Sequence, residues 1–166
     1  MLSLAILIRG TSNGKAIYWS ERIGKYNLRF RMPKFRTMRE GTPAIATHLL
    51  KDPEQWVTPV GRILRRLSID ELPQLYSIFK GDMSLVGPRP ALFNQDDLVE
   101  LRTQKGIHQL VPGVTGWAQV NGRDELSIPV KVEYDEYYKQ HQSIRLDLKI
   151  IGLTLLRVLR RQGVSH

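Results

Sequence analysis

The sequence contains no cysteine. This excludes a disulfide framework and any cysteine-based metal site, and it suits a cytoplasmic location. Long apolar runs are also missing. Residues 1–8 are apolar apart from Ser3, far short of the roughly 20 residues a helix needs to cross a bilayer. No basic segment stands before them, so they read poorly as a signal peptide. They read instead as the tail of a longer segment or as a short buried element. Internal repeats, low-complexity tracts and linkers are absent, so one domain is expected, and 166 residues are enough for a real core. Acid is scarce: 16 Asp and Glu stand against 25 Lys and Arg, a net charge of +9. That excess predicts an anionic partner, whether nucleic acid, an acidic membrane face or a phosphorylated substrate. With 42% hydrophobic and 25% charged residues, the composition is that of a folded chain.

Against this basic background two adjacent carboxylates stand out, in the stretch Ser68-Ile69-Asp70-Glu71-Leu72-Pro73-Gln74-Leu75. Arg62, Arg65 and Arg66 precede it. A Gly/Pro loop with one arginine, Gly81-Asp82-Met83-Ser84-Leu85-Val86-Gly87-Pro88-Arg89-Pro90, follows. Read locally, Ser68 and Glu71 have the spacing of a capping box, and Pro73 is tolerable in a first helical turn. Acidic residues at that end also suit the helix dipole. The same geometry serves chemistry. A helix N-terminus and nearby arginines would hold Asp70 ionised, available as a nucleophile or metal ligand. Acid in the middle and arginines on both sides is what metal-assisted phosphate chemistry needs.

The rest of the pattern predicts short elements. Residues 1–8 read as a helix ending near Arg9-Gly10, with a turn at Thr11-Ser12-Asn13-Gly14. Residues 16–19 are β-prone. Leu28-Arg29-Phe30-Arg31-Met32 and Lys34-Phe35-Arg36-Thr37-Met38 both alternate apolar and basic residues, so a small β-hairpin is expected, with Lys34 and Arg36 on one face. A solvated strand face fits those two cations as well. Residues 44–50 allow a short helix. A helix over residues 58–67 carries an apolar stripe of Val60, Ile63, Leu64 and Leu67. A second helix runs from Ile69 to Phe79 and stops at Gly81, and the turn between the two puts Arg65 within reach of Asp70. Pro88 and Pro90 stiffen the backbone around Arg89, which either lowers the entropy lost on gripping a phosphate or makes a plain rigid connector. Residues 96–105 read as a helix on a polar surface. Residues 111–123 read as a hairpin bounded by Pro-Gly and Asn-Gly, with glycines that allow close backbone approach to a ligand. Residues 129–141 read as a helix with a Tyr and acid face. The last helix, residues 144–161, is broadly apolar with flanking cations, which suits a membrane surface and a core-packed helix equally. The expected fold is α+β and mostly helical, a small β-hairpin plus amphipathic surface helices.

Four motifs in order carry a resemblance: Lys34-Phe35-Arg36-Thr37-Met38, then Asp70-Glu71-Leu72-Pro73-Gln74-Leu75, then Gly81 to Pro90, then Pro112-Gly113-Val114-Thr115-Gly116-Trp117-Ala118-Gln119-Val120-Asn121-Gly122-Arg123. The chain resembles the bacterial sugar transferases, the monotopic phosphoglycosyl transferases that start exopolysaccharide, O-antigen or glycan assembly. Tyr134-Asp135-x-x-Tyr138 and Leu146-Asp147-Leu148-Lys149-Ile150 are similar too. The resemblance implies transfer of a sugar 1-phosphate from a UDP-sugar to a polyprenyl phosphate such as undecaprenyl phosphate, with release of UMP. It implies Asp70 as nucleophile, through an aspartyl-phosphosugar intermediate, and Glu71 as the ligand of Mg²⁺. It implies Arg65 and Arg89 on phosphate, Lys34, Arg36 and Arg123 in substrate binding, and Asp135 and Tyr138 in shaping the site. It also implies a membrane-associated, monotopic protein at the cytoplasmic face of the bacterial inner membrane, in contact with anionic lipids. Family members carry an N-terminal hydrophobic segment that enters one leaflet and turns back. Residues 1–8 look like its last turns, so a single catalytic domain over residues 1–166 with a truncated membrane segment is expected.

Two other classes stay in view. The charge and the arginine-rich helices fit a basic nucleic-acid-binding module. Against it, the carboxylate pair would repel a phosphate backbone, and the sequence has neither zinc-finger spacing nor an aromatic RNA-binding motif, so no nucleic acid is expected. A catalytically silent fragment that only packs against partners at the membrane would show membrane association without nucleotide release.

Overall fold

The computed structural model describes residues 2–12, 14–45, 50–122 and 126–160, with side chains described between Leu7 and Val158. It is mostly helical, with a small antiparallel hairpin. Helix α1 (Leu2–Ser12) leads into β1 (Ile17–Ile23) and β2 (Arg29–Phe35). Helices α2 (Pro53–Trp56) and α3 (Pro59–Arg66) precede a 3₁₀ turn over Ile69–Gln74, then α4 (Leu75–Lys80) and β3 (Ser84–Val86). After α5 (Asp96–Gln104) come β4 (Gly113–Thr115), α6 (Ile128–Gln140) and α7 (Ile144–Arg160). No helix among the described residues is long and apolar enough to cross a membrane.

The hairpin is present in one register, from Ile17 opposite Phe35 to Ile23 opposite Arg29. Its second strand is continuous through Pro33, rather than two separate alternating segments. In a two-stranded hairpin each strand is an edge, so a proline facing outward removes no ladder bond. The pleat sends Phe35 into a cluster with Ile8 of α1 and Leu64 of α3, and sends Lys34 to the opposite face. Beyond Phe35 the chain leaves the hairpin, and Met38 bridges to Val57 just before α3. The N-terminal helix also exceeds its expected end and continues through Thr11 and Ser12, whose hydroxyls donate back to carbonyls one turn earlier. Residues 46–49 of the short helix expected over 44–50 lie outside the described residues.

Helix α3 starts as expected. The Thr58 side chain accepts from the Gly61 N–H at 2.9 Å, and Pro59 takes the first helical position. Its apolar stripe, however, is mostly outside: Ile63 is 60% and Leu67 41% exposed, while Gly61 and Leu64 are buried. Gly61 is the reason. A β-carbon there would lie 2.0 Å from the Thr37 carbonyl oxygen, so the helix packs backbone to backbone along its Gly61–Leu64 face.

The expected continuous helix from Ile69 to Phe79 is not one helix, and the capping box does not form. Ser68 is left-handed (φ 54°, ψ 21°) and its side chain caps nothing. An α-helix starting at Ile69 would need an N–H from Pro73 to bond the Ile69 carbonyl, and proline has none. The chain winds as a 3₁₀ turn through Pro73 and becomes α-helical only at Leu75, closing at Gly81 with φ 88°.

The hairpin expected over residues 111–123 is also corrected. β4 pairs in parallel with β3, Ser84 opposite Gly113 and Val86 opposite Thr115, and Gln119–Asn121 forms a 3₁₀ turn. The glycines serve packing here: a β-carbon on Gly113 would meet the Gly87 nitrogen at 2.1 Å. This contact seats the Gly87-Pro88-Arg89-Pro90 loop against residues 111–116. Helix α5 is not simply a polar surface helix, since it buries Leu98 and Arg102. Helix α7 resolves the two readings of its sequence by doing both: Ile150 is wholly buried in a cluster with Val86, Val120 and Tyr138, while Ile144, Leu148 and Leu155 face outward.

Gly61→Ala tests the close approach of α3. Forcing a methyl into packed backbone costs about 1–3 kcal/mol or more, which for a chain of this size lowers the thermal midpoint by roughly 5 °C. A melt followed by circular dichroism that showed no shift would contradict it.

Candidate active site

The left-handed turn at Ser68 and the 3₁₀ winding after it bring Asp70 and Glu71 to one large cavity of about 840 Å³. Glu71 Oε1 accepts two charge-assisted hydrogen bonds, from Lys34 Nζ at 3.1 Å and from Arg89 Nη2 at 2.7 Å. Three distant segments thus meet at one oxygen: strand β2, the 3₁₀ turn and the Gly-Pro-Arg-Pro loop. Among the described residues, nine arginine and lysine side chains line the cavity against two carboxylates, so the space is built for anions.

A relay stands behind Arg89. Arg102 on α5 donates from Nη1 to the Arg89 carbonyl at 2.8 Å, and from Nε and Nη2 to Asp135 Oδ2 on α6 at 3.0 and 2.5 Å. Both partners are buried, and such a pair survives burial only because its hydrogen bonds are satisfied. Arg22 braces the same loop, donating from Nη1 to the Pro90 carbonyl at 3.2 Å. Arg65 is anchored by Nε to Thr37 Oγ1 at 2.9 Å and lies on the cavity wall close enough for its charge to act on Asp70.

The two carboxylates are pushed apart electrostatically. Burial opposes ionisation of Glu71, but Arg89 and Lys34 more than offset it and hold the group well below the usual carboxylate range. Burial raises Asp70 above its ordinary value of 3.8, opposed by Lys34, while the neighbouring Glu71 charge adds to the rise. Arg65 and Arg89 pull Asp70 toward the ionised form, as the sequence suggests, while burial acts against them and leaves the carboxyl above its ordinary value. Burial also lowers Lys34, with Glu71 opposing the shift.

Of the residues singled out from sequence, Lys34, Asp70, Glu71, Arg65 and Arg89 come together at this cavity. Arg36 lines the cavity but turns away from the pair, donating from Nε to the Lys15 carbonyl at 2.8 Å and lying over the Tyr18 ring. Arg123 lies outside the described residues. Asp135 acts through Arg102 on the Arg89 backbone. Tyr138 does not line the cavity; it sits in the core and donates to Asp147 Oδ1 at 2.8 Å, joining α6 to α7. Arg102 was not singled out. Its sole sequence signal is an arginine within an ordinary helix, and its partners Arg89 and Asp135 lie 13 and 33 positions away in the chain.

For a metal, no group of three or more His, Cys, Asp or Glu side chains converges among the described residues. Magnesium, however, is commonly held by one or two carboxylates together with substrate phosphates. Asp70 and Glu71 provide such a set, and Glu71 Oε2 accepts no hydrogen bond among the described residues.

A cationic cavity closed around an ionised carboxylate and a second, more basic one defines a protein that handles anionic groups. The chain belongs to the bacterial sugar transferase family, whose sequence model matches residues 1–161, and it is therefore a transferase. It is 44% identical over 156 residues to the protein named uncharacterized sugar transferase EpsL of Bacillus subtilis, covering 92% of this chain and 75% of that protein. It is 38% identical to the UDP-N-acetylgalactosamine-undecaprenyl-phosphate N-acetylgalactosaminephosphotransferase of Aeromonas hydrophila, covering 98% of this chain and 40% of that one. It is 39% identical to the UDP-glucose:undecaprenyl-phosphate glucose-1-phosphate transferase of Xanthomonas campestris pv. campestris, covering 96% and 34%. The chain thus spans three-quarters of one of these relatives and well under half of the other two.

Asp135→Ala strands the buried Arg102 guanidinium. Removing one partner of such a pair costs about 3–5 kcal/mol, and the thermal midpoint is expected to fall by roughly 10 °C. A fall of less than about 2 °C in a thermal melt would show that the pair is not the tie described.

Proposed function

We propose that the protein is a phosphoglycosyl transferase that moves a sugar 1-phosphate from a UDP-sugar to a polyprenyl phosphate, such as undecaprenyl phosphate, for bacterial polysaccharide or glycan assembly. The observation that carries the reading is the division between two adjacent carboxylates in one cationic cavity, Glu71 ion-paired and Asp70 made more basic by burial. The names of the relatives from Aeromonas and Xanthomonas support the substrate classes. The nucleic-acid module and the silent fragment are not favoured beside family membership.

In the first step an Asp70 carboxylate oxygen attacks the phosphorus that bears the sugar. The new oxygen–phosphorus bond forms as the bond to the leaving UMP oxygen breaks, and UMP departs with the electron pair. In the second step a phosphate oxygen of the polyprenyl phosphate attacks the same phosphorus, and the Asp70 carboxylate is the leaving group. Two anionic substrates need not share the site at once, so the kinetics are ping-pong. Arg65 and Arg89 orient the phosphates and balance their charge, Lys34 keeps Asp70 and Glu71 from repelling them, and Arg36 and Arg123 complete the substrate contacts. Glu71 and the diphosphate oxygens would hold Mg²⁺, which when bound neutralises phosphate charge and aids departure of the nucleotide.

On the same reading the protein works at the cytoplasmic face of the bacterial inner membrane. Support comes from exposed apolar surface with cations beside it: the outward stripe Ile144, Leu148 and Leu155 with Arg145 and Lys149, and Phe79, 93% exposed, with Lys80.

The test omits lipid. With Mg²⁺ and a panel of UDP-sugars, wild-type protein is expected to gain the mass of a phosphosugar and release UMP stoichiometrically. Asp70→Asn is expected to do neither, and full UMP release by that variant would remove Asp70 from its role. Because Asp70 must be deprotonated to attack and its value is raised, the rate of UMP release should rise with pH through a midpoint above the ordinary 3.8. Lys34→Gln, which removes an opposing positive charge, should move that midpoint further up; a downward move would contradict the electrostatic account.

A further inference from the structure

Helix α3 carries three arginines, and the cavity takes one of them. Arg62 and Arg66 are exposed and do not line it, whereas Arg65 is half-buried on its wall. Gly61 makes the selection. Its missing side chain lets α3 ride on the Thr37 backbone, where a β-carbon would lie 2.0 Å from the Thr37 carbonyl oxygen. Residues four apart share a helix face. Arg65 is therefore carried over the same residue one turn later, and its Nε donates to Thr37 Oγ1 at 2.9 Å.

Thr37 is itself held fast. The Arg36 N–H donates to the Ala16 carbonyl at 2.8 Å, the Thr58 N–H to the Thr37 carbonyl at 2.9 Å, and the Arg39 N–H to the Trp56 carbonyl at 2.8 Å. The Thr58 hydroxyl adds a 3.3 Å bond to the Thr37 carbonyl, and the same oxygen accepts from Gly61 to cap α3. Strand exit, helix cap and close approach thus meet at Thr37, which is 7% exposed and whose β-branch restricts its rotamers. A long arginine side chain samples many rotamers unless something holds it. Its guanidinium is planar, so a bond at Nε orients the Nη1 and Nη2 end as well. That end belongs to a cation whose charge acts on Asp70.

We infer that Thr37 is a positioning residue for phosphate transfer: its hydroxyl sets the direction in which Arg65 presents its guanidinium to the phosphate that Asp70 attacks. The inference rests on the transferase reading and adds to it a residue that acts through Arg65. Aim and attraction then separate. Losing the hydroxyl leaves the Arg65 charge in the cavity, so binding holds while the reacting geometry loosens.

The test reads the single burst of UMP release with Mg²⁺ and the productive UDP-sugar, without lipid. Thr37→Val removes the hydroxyl and should lower the maximal burst rate about tenfold, the size of one lost hydrogen bond to a charged group. The half-saturating UDP-sugar concentration should stay within about twofold. Thr37→Ser keeps the hydroxyl and should remain within about threefold of the wild-type rate. In an Arg65→Ala background, Thr37→Val should cause no further loss, because no guanidinium is left to aim. A tenfold loss that persists without Arg65 overturns the assignment. So does a Thr37→Val protein with a lower thermal midpoint and an unchanged burst rate, the result of a bond that only stabilises α3. Thr37→Ala takes the same comparisons if the valine variant does not fold. If wild type releases no UMP from any UDP-sugar, the transferase reading fails, and inorganic pyrophosphate affinity replaces the burst rate. Non-additive effects of Thr37→Val and Arg65→Ala on that affinity keep Thr37 as the residue that aims Arg65 at anions, and additive effects remove it.

Discussion

A single carboxylate oxygen holds the site together. Glu71 Oε1 receives both Lys34 and Arg89, and through them β2, the 3₁₀ turn and the Gly-Pro-Arg-Pro loop are fixed to one another. Each of these groups is largely removed from water, so each depends on the others. The tie extends outward, because the backbone of Arg89 is gripped by Arg102, and Arg102 is gripped by Asp135 on α6. Glycine makes the approach possible at both ends. Gly61 lets α3 settle on the Thr37 carbonyl, where Arg65 finds Thr37 Oγ1, and Gly113 lets the Arg89 loop settle on β4.

The consequence is chemical as well as mechanical. Two neighbouring carboxylates that are both ionised and unpaired repel each other and any phosphate. Here the cations are spent on Glu71, which stays ionised, and burial leaves Asp70 the more basic of the two. A more basic carboxylate is the better nucleophile, and the arginines that line the cavity keep it favourable for phosphate charge. The fold therefore suits a two-step exchange in which one anion leaves before another arrives.

How much of this was legible in the sequence depends on whether a feature is local. The helix over Pro59–Arg66 and the glycine end of α4 follow from neighbouring residues, and they formed as read. The charges that meet at Glu71 were also visible, since each sits in one of the four ordered motifs. Local reading failed where a distant contact outweighed it. The capping spacing of Ser68 and Glu71 gave way to a left-handed Ser68, because Pro73 forbids the α-helical bond. The turn glycines after Val111 pack against Gly87 and produce a parallel pair rather than a hairpin. Arg102 looked like a solvated helix residue because its partner, Asp135, is 33 positions away. Arg36 shares a motif with Lys34, yet the strand ends at Phe35 and its side chain turns to the Lys15 carbonyl.

The central claim is that Asp70 carries the phosphosugar as an acyl phosphate. Borohydride reduces an acyl phosphate to the alcohol and leaves free carboxylates alone. Protein incubated with Mg²⁺ and the productive UDP-sugar, quenched with borohydride and digested, should show homoserine at position 70 in the peptide bearing Asp70 and Glu71. Conversion at position 71 instead, or UMP release with no conversion at either position, would contradict the account.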